Sequence, residues 1–588
     1  MTNRILNKIN EPKDLKGLSQ EELNRLADEI RETLIKKVST TGGHFGPNLG
    51  MVEATIAMHY VFNSPIDKIV YDVSHQSYAH KILTGRKEAF INPEKFGTVT
   101  GYTSQHESKH DFFTVGHTST SISLACGLAK ARDVKGEKEN IIAVIGDGSL
   151  SGGEAYEGLN NAAESGKNII IVVNDNDMSI AENHGGLYKN LALLRETKGN
   201  AENNFFKALG FDYYYVDEGN NVEALIETFN KVKNIDRPMI VHIHTIKGKG
   251  YEEAEVNKEA FHWVMPFDLE NKESNIIEFQ ETYSDIAGKF LVEKAKEDKR
   301  IVAITAATPG PVGLNYFRQE ESLKEQYVDV GIAEEHAVAL ASGIASQGGK
   351  PVLSFLSSFV QRTYDQLSQD LAINNNPALI MVYWGGISGS DVTHLGVFDI
   401  PLISNIPNIV YLAPTNKEEY IAMMEWGIEQ KNHPVVIRVP NANVISTGVK
   451  VEANFDKLNV YEKTIDGSEV AIIGLGSFYE LGKRVQEKLR NESGINATLI
   501  NPRFITGIDK EMLTQLLDNH KLVITLEDGI LDGGFGEKIS RFYGDKEMKV
   551  LNFGATKEFT DSISLEELYD RYHLKEELII NDIKNALK

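Results

Sequence analysis

Short apolar runs alternate with amphipathic stretches along almost the whole chain, and this alternation limits the possible fold more than any other feature. The runs are apolar on both faces, which is typical of parallel strands buried on both sides. Strands and helices that alternate along a chain predict doubly wound α/β domains. The runs are Ile141–Ile145, Ile169–Val173, Met239–His242, Ile301–Ile304, Leu379–Val382, Val435–Val439, Val470–Ile473 and Leu522–Leu526.

Length and local composition divide the chain further. Its 588 residues are enough for several domains, since one domain takes about 150 residues. The polar stretch Leu269–Gln280 resembles a linker, and Asn441–Asp466 lacks clear periodicity. We therefore predict three α/β domains, over residues 1–270, 281–445 and 460–588. Near the N-terminus, Ser19 and Glu22 predict a capping box that starts the first helix.

The charge balance excludes several classes of partner. Lys plus Arg number 61 and Asp plus Glu number 84, which gives a net charge of −23. Such a surface repels nucleic acid and anionic membranes, so we expect neither as a partner. No apolar segment approaches the length of a membrane span, and the N-terminal residues lack a signal-peptide core. We therefore expect a cytoplasmic protein.

The segment from Ile141 to Asp177 is the most informative part of the sequence. Gly146-Asp147-Gly148 follows one buried run, and Asn176 follows the next. Because the carboxyl ends of parallel strands meet at one edge of a sheet, Asp147 and Asn176 could hold the same Mg²⁺. The glycines and the start of the next helix suit a diphosphate. The alternative is a tight strand-to-helix turn with no ligand.

Seven further motifs extend this pattern, and together they resemble one known family. From about residue 20 to about residue 540, the chain resembles the 1-deoxy-D-xylulose-5-phosphate synthases. The resemblance implies a transketolase-like architecture of two thiamine-diphosphate-binding domains and a C-terminal domain. It also implies a homodimer that uses Mg²⁺, with pyruvate and a small aldehyde as substrates. The motifs are GGHFGPNLG (42–50), YDVSHQSYAHKILTGR (71–86), VGHTSTSISLACGLAKARD (115–133), NDNDMSI (174–180), KGKGYEEAE (247–255), VGIAEEHAVALASGIA (330–345) and FVQRTYDQ (359–366).

The resemblance assigns roles to individual residues. Glu334 would pair with a ring nitrogen of the cofactor's aminopyrimidine, which requires a carboxyl with a raised pKa, and Phe359 would stack on that ring. Histidines would bind the carboxylate of pyruvate and move protons. The implied metal ligands are Asp147, Asn176 and the carbonyl of Met178. The implied cofactor-binding residues are His75, His117, Gly146, Gly148, Ser149, Asn176, Lys247 and Phe359. The implied catalytic residues are Glu334, His44, His394, His262, Asp391 and Arg362.

The chain departs from the family where the phosphate of the aldehyde would bind. Trp384 and Asn441 stand where the family has arginines, the loop before His394 is one residue shorter, and Leu356 replaces a tyrosine. Neither tryptophan nor asparagine can replace a bidentate guanidinium on a phosphate. Two functions therefore stay open. One is condensation of pyruvate with glyceraldehyde 3-phosphate to 1-deoxy-D-xylulose 5-phosphate. The other is transfer of the same two-carbon unit to a different aldehyde, with or without a phosphate.

Two other classes fit the residues less well. A decarboxylating dehydrogenase component would share the cofactor, but HQSYAHK (75–81) and FVQRTYDQ (359–366) resemble the synthases. A non-catalytic sensor would have no need of Glu334. We therefore expect a transferase.

Overall fold

The computed structural model describes residues 4–165, 167–269, 280–452 and 454–588. The chain splits into two compact units. The first comprises Met1–Phe279 with Gly331–Ala333, and the second comprises Gln280–Val330 with Glu334–Lys588.

The first unit contains a parallel sheet with helices on both faces. Its first helix begins after Ser19, which forms the predicted capping box with Glu22. The strands are β1 (Gly43–His44), β2 (Lys68–Tyr71), β3 (Ile141–Gly146), β4 (Ile169–Asp175), β5 (Asp212–Val216), β6 (Pro238–His244) and β7 (Trp263–Val264). The helices are α1 (Gln20–Thr41), α2 (Gly46–Gly50), α3 (Val52–Val61), α4 (Tyr78–Lys81), α5 (Glu88–Ile91), α6 (Ser121–Lys135), α7 (Gly153–Ala163), α8 (Gly186–Glu196), α9 (Phe205–Ala208), α10 (Val222–Val232) and α11 (Glu252–Val256).

The order of the strands in this sheet brings the ends of β3 and β4 together. The order is β2–β3–β4–β6–β5, and the paired strands are parallel. Side chains of β3 alternate between two cores: Ile142 and Val144 pack with α3 and α10, whereas Ile141 and Ile145 pack with α6, α7 and α8. In the β3–β4 register Gly146 lies opposite Asn174, so the two strands end side by side.

The second unit contains two sheets. The strands are β8 (Ile301–Thr305), β9 (Tyr327–Asp329), β10 (Lys350–Leu356), β11 (Leu379–Tyr383), β12 (Val410–Leu412), β13 (Val435–Arg438), β14 (Glu462–Ile465), β15 (Glu469–Gly474), β16 (Thr498–Asn501), β17 (His520–Ile530) and β18 (Lys549–Ala555). The helices are α12 (Tyr283–Glu297), α13 (Asn315–Arg318), α14 (Glu334–Ser346), α15 (Ser357–Val360), α16 (Tyr364–Gln366), α17 (Asp399–Ser404), α18 (Lys417–Ile428), α19 (Tyr479–Ser493), α20 (Lys510–Gln515), α21 (Phe535–Tyr543), α22 (Leu565–Arg571) and α23 (Glu576–Leu587).

Both sheets of the second unit are built mainly from parallel strands. The first has the order β12–β13–β11–β10–β8–β9, and its paired strands are parallel. The second has the order β14–β16–β15–β17–β18, in which β14 is an antiparallel edge strand. Hydrophobic side chains of both sheets join one buried cluster.

The α/β fold predicted from the alternation is confirmed, and each of the eight predicted runs coincides with a strand. The division at residues 281–445 and 460–588 stays a prediction. The predicted linker Leu269–Gln280 lies outside the described residues, apart from its two ends. Among the described helices, none is both long and apolar enough to cross a membrane.

Candidate functional site

The predicted metal ligands lie at the adjoining ends of β3 and β4. The backbone N–H of Asp147 donates to the carbonyl of Asn174 (3.0 Å), which fixes the turn that leaves β3. Oδ2 of Asp147 accepts hydrogen bonds from the N–H of Met178 (3.0 Å) and from Nδ2 of Asn183 (2.8 Å). The sheet register therefore places Asp147 beside the turn that carries Asn176 and Met178.

The donor set at this edge fits a divalent cation. Oδ1 of Asn176 is buried and accepts no hydrogen bond from the part of the chain that the structure describes. Burial raises the pKa of Asp147 to about 7, and the nearby carboxylate of Asp175 adds to this effect. A bound cation would offset both the buried negative charge and the unpaired amide oxygen. No cluster of three or more His, Cys, Asp and Glu side chains suits a metal among the described residues, so water and a diphosphate would have to complete the coordination.

A buried chain of hydrogen bonds holds the end of β4, and the sequence did not reveal it. Oδ2 of Asp175 contacts Nε2 of His242 (2.9 Å), and Nδ1 of His242 contacts the hydroxyl of Tyr213 (2.8 Å). Arg195 donates to both oxygens of Asp175 (2.7 and 2.8 Å). Burial alone would raise the pKa of Asp175, but the bonds from His242 and Arg195 hold it below its ordinary value. The residue before Asn176 is thereby fixed as a carboxylate.

The turn after β3 packs tightly against the segment that carries Ser179. A Cβ atom added at Gly148 would lie 2.7 Å from Oγ of Ser179, so only glycine fits there. Gly146 ends β3, and Ser149 lies in the turn that leads to α7. Backbone N–H groups at the start of a helix attract anions, and the turn therefore fits the diphosphate of the proposed cofactor.

Three predicted histidines form a cluster near this turn. The ring of His44 lies 4.9 Å from the ring of His75 and 5.6 Å from the ring of His262, both edge to face. The rings of His75 and His262 are stacked at 5.3 Å. His44 lies on β1, which pairs with β7 in an antiparallel arrangement. His262 is the residue immediately before β7. Sequence segments that are far apart are thus brought together in one cluster.

Lys247 links the histidine cluster to the turn after β3. Its Nζ donates to the carbonyl of Ser179 (2.6 Å) and contacts Nδ1 of His262 (3.0 Å). Burial lowers the pKa of Lys247 to about 7, and burial together with the charge of Lys247 keeps the pKa of His262 well below its ordinary value. When Lys247 is protonated its ammonium group can only donate, so Nδ1 of His262 then accepts and the ring proton lies on Nε2.

The turn that presents His75 is strained. Val73 and Ser74 have φ of 57° and 66°, a left-handed conformation that a β-branched residue rarely adopts. Oγ of Ser74 accepts from the N–H of Thr103 (2.8 Å) and donates to the carbonyl of Val115 (2.6 Å). Strain of this kind persists only where surrounding contacts impose it, and it clusters at functional sites.

His117 lies in the same unit, in the segment that leads to α6. The N–H groups of Ser119 and Ser121 donate to the carboxylate of Asp72 (2.8 and 3.0 Å), one residue after β2. Burial raises the pKa of Asp72. Asp72 therefore ties the segment of His117 to the strained turn, a role that the sequence did not suggest.

The second unit carries the other predicted residues. Glu334 is the first residue of α14 and is only 3% exposed. Burial raises the pKa of Glu334 to about 7, although the guanidinium of Arg362, 3.9 Å away, opposes this effect. Oε2 of Glu334 has no hydrogen-bond partner among the described residues. A neutral carboxyl in this environment fits a ring nitrogen of the cofactor.

Phe359, His394 and Asp391 form a second group in this unit. The rings of Phe359 and His394 lie 5.8 Å apart, edge to face. Oδ1 of Asp391 contacts Nδ1 of His394 (3.3 Å), and the hydroxyl of Thr393 lies 2.9 Å from the same nitrogen. Burial alone would raise the pKa of Asp391, but hydrogen bonds from His394 and Thr393 lower it. Asp391 can therefore orient the imidazole of His394.

A buried ion network lies against the two glycines that follow Trp384. Arg438 lies at the end of β13, and its Nε donates to Asp399 (2.6 Å) while its Nη1 pairs with Asp528. A Cβ atom at Gly385 would lie 3.0 Å from Oδ2 of Asp399, and one at Gly386 would lie 2.5 Å from Oδ2 of Asp528. The two glycines after Trp384 are therefore required by this network.

Trp384 itself is unusual. It follows β11, its φ is 57°, and 53% of its surface is exposed. The N–H of Gly386 donates to the carbonyl of Gly396 (2.9 Å), which fixes the turn. Leu356, where the family has a tyrosine, is buried at the end of β10.

Three family models match this chain. The family model described as 1-deoxy-D-xylulose-5-phosphate synthase matches residues 6–204 and 192–245. The pyrimidine binding domain of transketolase matches residues 280–446, and the C-terminal domain of transketolase matches residues 461–579.

Curated relatives align over almost the entire chain. A 1-deoxy-D-xylulose-5-phosphate synthase from Caldanaerobacter subterraneus is 39% identical over 99% of this chain and 99% of its own length. One from Halothermothrix orenii is 40% identical over 99% of this chain and 97% of its own. A solved transketolase from Leishmania mexicana covers 97% of both chains at 15% identity, with a TM-score of 0.43. Because the two curated synthases are 39% and 40% identical over 99% of the chain, the chain belongs to the 1-deoxy-D-xylulose-5-phosphate synthase family of thiamine-diphosphate-dependent, transketolase-type transferases.

Proposed function

We propose that the protein joins pyruvate to glyceraldehyde 3-phosphate, giving 1-deoxy-D-xylulose 5-phosphate and CO₂. The carboxyl group of pyruvate leaves as CO₂, its carbonyl carbon forms a bond to the aldehyde carbon, and one proton is taken up. Family membership supports the reaction. The observation that carries its assignment to this chain is the position of Asp147 and Asn176 at adjoining strand ends. The buried amide oxygen of Asn176 accepts no hydrogen bond from the described residues.

The first unit would hold the cofactor's diphosphate and the metal. Asp147, Asn176 and the carbonyl of Met178 would bind Mg²⁺, while the turn at Gly146–Ser149 would receive the diphosphate. His117 would lie near that anion. Thiamine diphosphate, when bound, supplies the carbon nucleophile that attacks pyruvate.

The histidine cluster would bind the carboxylate of pyruvate. When Lys247 is protonated and donates to Nδ1, Nε2–H of His262 would donate to that carboxylate. His44 and His75 present their imidazoles to the same space. Neutral imidazoles can donate to an anion and also move protons near neutral pH.

The second unit would serve the cofactor's pyrimidine ring and the aldehyde. Glu334 holds a proton at its buried carboxyl near neutral pH, and Arg362 limits how far its pKa rises. Phe359 would stack on the pyrimidine ring. His394, oriented by Asp391, would donate a proton to the oxygen of the aldehyde as the new bond forms.

One observation favours a second candidate, in which the acceptor is a different aldehyde that carries less negative charge. Asn441 lines a cavity of about 540 Å³ in the second unit. The charged residues that line it are Arg484, Lys575, Asp528, Glu576 and Glu577. The guanidinium of Arg484 is paired with Glu576 (2.6 Å), and that of Arg438 is paired with Asp399 and Asp528, so both guanidinium groups already bind carboxylates instead of a phosphate.

A competition assay tests both candidates. The protein is supplied with Mg²⁺, thiamine diphosphate and pyruvate, together with equimolar glyceraldehyde 3-phosphate, glyceraldehyde and other short aldehydes. Products are then identified by mass. A dominant phosphorylated product supports the first candidate, and a dominant product without phosphate supports the second. If no CO₂ is released from pyruvate with any aldehyde, both candidates are wrong.

The homodimer that the resemblance implies and the cytoplasmic location expected from the sequence are part of this proposal. Sedimentation equilibrium would test the first, and fractionation of the source cells would test the second.

A further inference from the structure

Tyr102 lies beside the histidine cluster, although no sequence motif singled it out. Its ring is 5.7 Å from the ring of His44, edge to face, and the side chain is half-buried. His44 in turn contacts His75 and His262. Tyr102 therefore bounds the cluster on the His44 side.

The backbone on both sides of Tyr102 is anchored. Oγ1 of Thr100 donates to the carbonyl of Tyr102 (2.8 Å). The N–H of the next residue, Thr103, donates to Oγ of Ser74 in the strained turn that carries His75. The same turn that positions His75 thus also positions Tyr102.

A set of buried charges fixes the segment 97–118, which contains Tyr102. On the loop, Glu107 accepts from the N–H of Thr100 (2.6 Å) and pairs with Lys81 and Arg86. Asp111 pairs with Arg86 through both oxygens (2.7 and 2.9 Å). Two cations thus face two carboxylates, and we call these four residues the charge lock.

Two neutral histidines extend the hydrogen bonding of the charge lock beyond Asp111. Asp111 accepts from Nε2 of His80 (2.9 Å), whose Nδ1 contacts Nε2 of His59 (2.9 Å). Burial lowers the pKa of both histidines. Burial alone would raise the pKa of Asp111, but hydrogen bonds from His80 and Arg86 hold it below its ordinary value. The segment therefore stays fixed at neutral pH, and so does Tyr102.

We propose that Tyr102 contacts the donor substrate and limits the size of the alkyl group on the 2-oxo acid that the enzyme accepts. This inference rests on the proposed function, since the histidine cluster is taken to bind the carboxylate of that acid. A fixed aromatic ring beside the carboxylate-binding groups would bound the space for the alkyl group, so that a methyl group would fit and longer chains would not. The charge lock acts on the substrate only through Tyr102, so its four members are positioning residues.

The test compares pyruvate with 2-oxobutanoate. Steady-state kcat and KM are measured for each acid with the wild type, Tyr102→Ala and Tyr102→Phe, at a saturating concentration of the aldehyde that the wild type prefers. Calorimetry measures the binding of each acid to the same proteins. Tyr214→Ala is the matched control, because Tyr214 is 41% exposed on β5 and lies outside the proposed site.

We expect Tyr102→Ala to shift the ratio of kcat/KM by about tenfold or more toward 2-oxobutanoate, while Tyr102→Phe and the control retain the wild-type ratio. A ratio in Tyr102→Ala within twofold of the wild type would overturn the inference while leaving the proposed function intact. If the wild type neither binds nor converts pyruvate, the proposed function and the inference both fail.

The charge lock provides a second variant. Glu107→Gln leaves Tyr102 unchanged but removes one carboxylate of the lock. We expect faster hydrogen exchange in segment 97–118 and a shift of the same ratio toward 2-oxobutanoate. Faster exchange with an unchanged ratio would show that the segment does not act on the substrate, and would contradict the positioning role.

Discussion

Replacing Glu334 with glutamine should stabilise the cofactor-free protein, and the gain should grow with pH. Burial raises the pKa of Glu334 from its ordinary value of 4.5 to about 7. Between these values the folded state holds a proton that the unfolded state has lost, so stability falls as pH rises. This loss of folding free energy is absent well below pH 4.5 and reaches its full value above about pH 7. Glutamine cannot ionise and never incurs this cost.

The magnitude follows from the same two values. Linkage gives a cost for Glu334 of about 0.8 kcal/mol at pH 5 and about 3.3 kcal/mol at pH 8. Burying the glutamine amide has its own free energy, but that contribution does not depend on pH. The expected signal is therefore the difference, about 2.5 kcal/mol in favour of the variant between pH 5 and pH 8.

Urea unfolding at pH 5, 6, 7 and 8 measures this difference. Tryptophan fluorescence reports on the relevant unit, because Trp384 and Trp426 lie in it. Glu335→Gln is the matched control, since Glu335 is the next residue of α14 and is half-buried. A stability difference for Glu334→Gln that stays constant with pH, or that shrinks as pH rises, would refute the reasoning. The variant should also lose activity, because a neutral amide cannot exchange the proton that the carboxyl holds.

Three further predictions concern other parts of the site. Mg²⁺ with thiamine diphosphate should raise the Tm of the wild type, since a ligand at about 100 Kd stabilises the folded state by about 2.7 kcal/mol. Asp147→Ala should abolish this rise, which scanning fluorimetry measures. An undiminished rise would argue against the metal site. Arg438→Met should lower the free energy of unfolding by about 3–5 kcal/mol, because it leaves buried aspartates unpaired. Adding Asp399→Asn should recover part of that free energy in urea unfolding. If it recovers none, the buried ion network does not stabilise the fold. Lys247→Met should lower kcat roughly 10²-fold, because Nδ1 of His262 would lose the contact that fixes its tautomer. The KM for pyruvate should change less. Steady-state kinetics measure both, and an unchanged kcat would show that the lysine does not fix that histidine.

The strands were predictable because burial on both faces leaves a local signature. Runs such as Ile141–Ile145 and Ile169–Val173 contain no polar side chain, and that pattern needs no knowledge of the partner strand. The same reasoning predicted that Asp147 and Asn176 lie close together, since adjacent parallel strands end at one edge of the sheet.

The supporting contacts were not predictable in the same way. Nothing local marks Asp175 and His242 as partners, because their contact depends on the pairing of β4 with β6. Tyr102 lies in a segment without periodicity, and its position depends on the distant Lys81 and Arg86. Long-range ion pairs and hydrogen bonds carry no sequence period, and only the folded chain reveals them.

The hydroxyl of Ser74 has a kinetic consequence. It joins the turn that carries His75 to both Thr103 and Val115, near the two ends of the segment that holds Tyr102. Any excursion of that segment must break these bonds, so the imidazole and the phenol ring cannot move independently. In relaxation-dispersion NMR the two side chains should share one exchange rate, and a single Ser74→Ala substitution should split it into two.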